Sequence, residues 1–216
     1  MLMLLTVGGL IVAAILFGIS FLTGSSWLRS FVLGCVAIWF GFYFVMLVGL
    51  SLFSTEKTLP IGEAKEYCGF YIDCHMHTAV TDVRKVKSIG DRTADGEFYI
   101  VTVKVFSDAK RATLGLLNVT AKVLDEDGNK YYRDQDVEDQ LPPQPRFEKQ
   151  VSPFESFEKE IVFDLPVDVK DPRLDLKEGY KIDRVIEALV IGDEDSLLHK
   201  RNYFQLSDKS QTVAAK

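Results

Sequence analysis

The sequence predicts an N-terminal α-helical transmembrane hairpin followed by an all-β sandwich of two sheets. The hairpin rests on Leu2–Leu22 and Phe31–Phe53, two long apolar runs without a charged side chain, separated by a short turn. At about 1.5 Å per helical residue each run reaches about 30 Å, the thickness of a bilayer's hydrocarbon core. The sandwich rests on the residues beyond Tyr67, where apolar and polar side chains alternate with the period of strands.

These patterns divide the chain into a first helix (1–24), a turn (25–30), a second helix (31–54), a linker (55–66), a β-sandwich (67–207) and a flexible tail (208–216). A cleaved signal peptide would need a positive n-region and a small-residue cleavage site, whereas Met1–Leu22 has neither Lys nor Arg. An uncleaved helix is therefore expected. In hydrocarbon every backbone polar group must be satisfied within the segment, which two helices achieve, and a hairpin leaves both chain ends on one side.

The net charge is −6 over 216 residues, and Arg29 is the only charge before Thr55, so the remainder is more acidic still. Such a domain repels phosphate backbones, and nucleic acid is not an expected partner. Neither apolar run holds an Asp, Glu, Lys, Arg or His, which argues against an ion path through these helices alone.

Within the hairpin, Gly9 with Ala13, Ala14 with Gly18 and Ala37 with Gly41 are small residues four apart that would allow close helix packing. Trp39 and Tyr43 lie in mid-run among Phe40, Phe42 and Phe44, too deep for a simple aromatic belt, and are expected to meet a partner subunit, with lipid contact as the alternative.

Orientation rests on the cysteines, because the flanking charges barely differ. Cys68 and Cys74 stand six apart, a spacing that a local disulfide can close, while Cys35 lies in the membrane run. Disulfides persist in oxidising compartments, so a Cys68–Cys74 bridge would place the C-terminal domain outside the cytoplasm of a two-pass cell-membrane protein, which is the expectation. Two ordinary reduced thiols near a strand start are the alternative.

Strands are expected at about 76–89, at Glu97–Ser107, at Leu116–Asp125, at Lys130–Arg133 after the Asp127-Gly128-Asn129 turn, and at Phe157–Leu165 before Pro166. Tyr99, Val101, Val103 and Val105 share one parity and Phe98, Ile100 and Phe106 the other, which marks a central strand. Asp134–Gln150 holds Pro142, Pro143 and Pro145 and reads as a long connection. Asp168–Gly179 reads as a second polar loop, Ile182–Gly192 as an apolar strand, and Tyr203–Leu206 as a last edge.

Three stretches, Gly96-Glu97-Phe98-Tyr99-Ile100-Val101-Thr102-Val103-Lys104-Val105, Val123–Tyr132 and Phe157–Pro166, resemble successive strands of the telokin-like, immunoglobulin-like accessory domains of bacterial envelope membrane proteins and lipoproteins. The likeness covers about residues 76–206. It implies an immunoglobulin-like sandwich with an envelope role and no established chemistry.

One constellation could carry chemistry. Cys68, Cys74, His75 and His77 are four zinc-capable ligands in one stretch, but their spacing is irregular, and a disulfide is favoured over a metal site. A Cys74 nucleophile with His75 or His77 would need its base within hydrogen-bond reach, and adjacent strand residues face apart. Asp125–Asn129 has calcium-loop flavour, yet Lys130 and Asp136 stand where that loop needs Gly and Glu, so a plain turn is expected.

The expected function is therefore non-enzymatic: a membrane-anchored protein-binding or accessory subunit of the cell envelope, without cofactor. The partners are the bilayer and another membrane or envelope protein, with a homo-oligomer as an option. Contact residues are Trp39, Tyr43, Pro142, Pro143, Phe147 and Phe154. The alternative is a metal- or small-ligand-binding sensor built on the Cys68–His77 cluster.

Overall fold

The computed structural model describes residues 2–69, 73–180 and 183–207; the tail expected at 208–216, like Ile182, lies outside them. The chain forms two compact units, one of residues 1–55 with 182–201, the other of residues 56–181 with 202–216.

In the first unit, α1 (Leu2–Leu22) and α2 (Ser26–Leu52) are long and apolar enough to cross a membrane. Gly24 takes φ +66° in the turn, and Ser25 caps α2 by accepting from the Leu28 amide. The small residues expected to bring the helices together do not do so: a Cβ added at Gly9, Gly18 or Gly41 would meet nothing within 4 Å.

Residues 183–201 belong to this unit. Instead of the expected strand, Asp183–Glu187 is a short helix, α4, followed by turns in which the Leu197 amide bonds to the Ala188 carbonyl at 3.0 Å. Val185, Ile186, Leu189 and Val190 recur at helical as well as strand spacing, and a short apolar run does not separate the two.

The second unit is a β-sandwich. One sheet has the order β2 (Ala64–Gly69), β3 (Asp73–Ile89), β4 (Arg92–Ser107), β7 (Ser156–Leu165), all antiparallel neighbours. The other has the order β1 (Lys57–Leu59), β9 (Asn202–Gln205), β8 (Arg173–Lys177), β5 (Thr120–Leu124), β6 (Lys130–Tyr132).

Two segments differ from the sequence reading. β1 and the start of β2 occupy residues assigned to a linker, and β8 lies inside the expected 168–179 loop. Arg173-Leu174-Asp175-Leu176-Lys177 alternates, but its charged parity made it read as loop; Leu174 and Leu176 are fully buried, and Asp175 pairs with Lys122 at 3.3 Å. Correspondingly β9 is not an edge: it lies between β8 and β1, pairing parallel with the latter.

Val101, Val103, Ile161, Phe163 and Leu165 from one sheet pack on Val123, Leu174, Leu176 and Phe204 from the other. Each such side chain stabilises by about 1.5–3 kcal/mol when fully buried. The second apolar face of β4 is also covered. Phe98, Ile100 and Val162 pack under Val137 of α3 (Gln135–Glu138), which Asp134 caps by accepting from the Val137 amide.

Candidate functional site

The connection after β6 does more than span a gap: it covers the outer edge of β7. The Asp134 amide donates to the Val162 carbonyl at 2.9 Å, and the Val162 amide donates to Glu138 Oε1 at 3.0 Å. Two residues further out, the Glu160 amide donates to Gln144 Oε1 at 2.7 Å while Gln144 Nε2 returns a bond to the Glu160 carbonyl at 2.9 Å. An edge strand with free N–H and C=O groups is a template for unwanted pairing, and here side chains occupy that template.

Glu138 is the hinge of this arrangement. It is buried, and its second partner is the Arg133 guanidinium, whose Nε donates to Oε1 at 2.9 Å and whose second nitrogen donates to Oε2. A bidentate guanidinium and a backbone amide together satisfy a carboxylate taken out of water. Glu138 and Gln144 were not singled out in the sequence; Asp134, a residue type that caps helices, ahead of the lone apolar Val137 was their only local signal.

The expected contact residues divide here. Pro142 and Pro143 are exposed, beside a cleft lined by Arg133, Gln144, Arg146 and Lys159. Phe147 is not on the surface: it is 2% exposed, belongs to the core, and carries Arg133 and Lys159 over its ring at 5.6 and 5.7 Å. Burial pushes the Lys159 ammonium below its ordinary pKa. The alternation Pro-x-Pro-x-Phe gave no sign that the ring turns inward.

Phe154 is the opposite case. It is 73% exposed and adopts φ +63°, a left-handed conformation that is unfavourable for a bulky residue. The turn that holds it is closed by the Glu155 amide on the Ser152 carbonyl, just after the Leu114–Val151 bridge.

Trp39 and Tyr43 face inward within their own unit. Trp39 Nε1 donates to Thr6 Oγ1 of α1 at 3.1 Å, and the Tyr43 hydroxyl donates to the Leu189 carbonyl at 2.5 Å. Both rings carry a polar atom that needs a partner in an apolar setting, which the purely apolar Phe40, Phe42 and Phe44 do not; those three stand exposed.

Cys68 and Cys74 are joined in a disulfide. Neither therefore offers the thiolate that a zinc ligand or a nucleophile requires. His75 and His77 share a face of β3, as their spacing requires, and meet Asp108 instead: His75 Nδ1 lies 2.7 Å and His77 Nε2 3.4 Å from Asp108 Oδ1. The His75 hydrogen bond, with a smaller contribution from His77, holds the Asp108 carboxyl below the usual carboxylate range.

The Asp125 turn is closed by protein groups. Its carboxylate accepts from the Asn129 amide at 2.8 Å, from Asn129 Nδ2 at 2.8 Å and from the Tyr131 hydroxyl at 3.0 Å. The Asn129 side-chain bond is the main reason its pKa is lowered.

No protein-family model matches the sequence, and no curated protein matches it significantly. Among solved structures it is similar to the secreted protein MPT63 of Mycobacterium tuberculosis, at 14% identity and TM-score 0.41 over 60% of this chain and 93% of that one. It is also similar to a conserved hypothetical protein of Bacillus anthracis, at 15% identity and TM-score 0.38 over 54% and 95% of the two chains. An uncharacterised β-sandwich protein of Clostridium difficile aligns at 11% identity and TM-score 0.37 over 71% and 97%.

Proposed function

We propose that this chain is a two-pass membrane protein whose β-sandwich stands outside the cytoplasm and binds another envelope protein, as a non-enzymatic accessory subunit of the telokin-like kind. The observation that carries the reading is one chain combining an apolar helical hairpin with a sandwich that carries a disulfide between β2 and β3. Leu5, Ile11, Ile15, Ile38 and Val45 are exposed on the two helices, a surface that suits lipid and not water. The Cys68–Cys74 bond suits an oxidising compartment.

Phe154 supports the binding half. A strained, exposed aromatic residue persists only where its surroundings impose it, and aromatic anchors dominate protein interfaces. The Pro142-Pro143 shelf adds a second rigid, exposed surface.

Two measurements on the full chain in intact cells test this. With Cys35→Ser, a membrane-impermeant maleimide labels Cys68 and Cys74 only after an impermeant reductant; labelling that first requires opening the membrane overturns the orientation. A photo-crosslinking residue at position 154 gives a discrete protein adduct that one at Lys130 does not; no adduct at 154 removes the binding half.

A further inference from the structure

Three contacts tie residues 183–201 to α2 in ascending order. The Tyr43 hydroxyl meets the Leu189 carbonyl at 2.5 Å, Ser51 Oγ meets Ser196 Oγ at 3.0 Å, and Ser54 Oγ accepts from the Lys200 amide at 2.8 Å. The segment thus runs alongside the last turns of α2, rising with it.

The helix itself supplies a ruler. Tyr43 precedes the end of α2 at Leu52 by nine residues, about 14 Å at 1.5 Å per residue. All 27 residues of α2 reach about 40 Å, some 10 Å more than a hydrocarbon core of about 30 Å. Even if that whole excess projected beyond the C-terminal end, Tyr43 would remain below the boundary. Arg29, four residues into α2, draws the excess toward the other end and places Tyr43 deeper.

The chemistry of the segment agrees with that depth. Val185, Leu189, Leu197 and Leu198 are about half exposed or more, and Leu198 is held outward at φ +65°. The Leu189 carbonyl has the hydroxyl donor that a carbonyl in hydrocarbon requires. Charged groups flank the apolar stretch at both ends: Asp195 pairs with Arg201 at 2.9 Å and Lys200 reaches the level of Ser54, while α4 carries Asp183, Arg184 and Glu187. These three charges of α4 limit the insertion to the outer part of the leaflet.

We infer that residues 183–201 form a membrane-inserted loop, whose Val185, Leu189, Leu197 and Leu198 enter the bilayer beside the C-terminal end of α2. The occupant of this apolar surface is lipid. Insertion of this kind, with apolar side chains sunk about 5–10 Å and charges at the headgroups, is the behaviour of interfacial segments. The inference rests on the two-pass reading of α1 and α2.

The test uses the full chain with Cys35→Ser in phosphatidylcholine–phosphatidylglycerol vesicles, with one nitroxide at a time on Cys introduced at Val185, Leu189, Ile38 or Lys130. Collisions with apolar oxygen and with a water-soluble nickel chelate are compared. Oxygen is expected to dominate at Ile38, Leu189 and Val185, and the chelate at Lys130; adding Tyr43→Phe shifts the Leu189 label toward the chelate. Oxygen at Ile38 with chelate at Leu189 and Val185 overturns the inserted loop while leaving the two-pass reading standing. Chelate access at Ile38 overturns the two-pass reading and the loop with it. A Leu189 label shielded from both reagents means that protein covers the segment, and also overturns the inference.

Discussion

The Lys65 ammonium donates to the Leu176 carbonyl at 3.0 Å, from a residue only 4% exposed. Leu176 lies past the β8–β9 pairing, which ends at Leu174, and the Tyr67 hydroxyl reaches the same carbonyl at 3.2 Å. Two side chains of β2 thus bind the backbone of the opposite sheet. Lys65→Ala removes both the donor and a buried four-carbon stem, and should destabilise by about 2–3 kcal/mol. Lys65→Met keeps the stem and should cost less; equal losses in urea titrations would show that the packing of the stem contributes nothing.

Gly96 approaches β7 more closely than any side chain allows. A Cβ there would stand 1.9 Å from the Leu165 carbonyl oxygen, while the Gly96 amide donates to Asp164 Oδ1 at 3.0 Å. Gly96→Ala must therefore displace backbone, and a loss of about 3 kcal/mol or more is expected in the unfolding free energy. An unchanged midpoint would contradict the contact.

Removing Glu138 strips the Val162 amide and the Arg133 guanidinium of a common partner. Glu138→Ala should destabilise by about 3 kcal/mol, as breaking a buried pair does, and should increase light scattering because the β7 edge is uncovered. Gln144→Ala, which exposes Glu160 alone, should scatter less than Glu138→Ala.

Phe154→Gly separates stability from binding. Glycine accepts φ +63° without strain, so the variant should hold or gain up to about 1 kcal/mol, while abolishing the protein adduct of a photo-crosslinking residue placed at the neighbouring exposed Glu155. A marked loss of stability would mean that the ring packs where it now stands exposed.

Acid stability depends on Asp125 and Asp108. Both carboxyls titrate below their ordinary range, because of Asn129 in the first case and His75 in the second. A lowered folded-state pKa stabilises above the unfolded value, about 3.9, and that stabilisation fades as pH falls through the folded value. Denaturation midpoints should therefore fall below about pH 4, and Asp125→Asn should flatten that limb relative to the unaltered chain.

The legible parts of the fold were those whose pattern is long. Two uncharged runs and the alternating β3, β4 and β7 are repeated many times over, so tertiary context had little room to override them. β1 and β8 have three and five residues and charged neighbours, and only their partners in the sheet define them. Of the contact residues, Pro142, Pro143 and Phe154 are on the surface, whereas Phe147 is core and Trp39 and Tyr43 turn inward. No sequence period encodes which aromatic ring finds a polar partner 146 residues away, as Tyr43 does.

The place of β9 bears on biosynthesis. β1 stands near the start of the sandwich, yet the strand it pairs with is Asn202–Gln205, which follows every other strand of either sheet. During synthesis the first strand must wait until Asn202–Gln205 has been made. Contacts of such long separation are slow to form and leave strand edges open meanwhile. A ribosome that stops before Asn202 would release a chain with both helices complete and a sheet in which β1 and β8 lack the strand between them, leaving open edges that quality-control proteases can recognise.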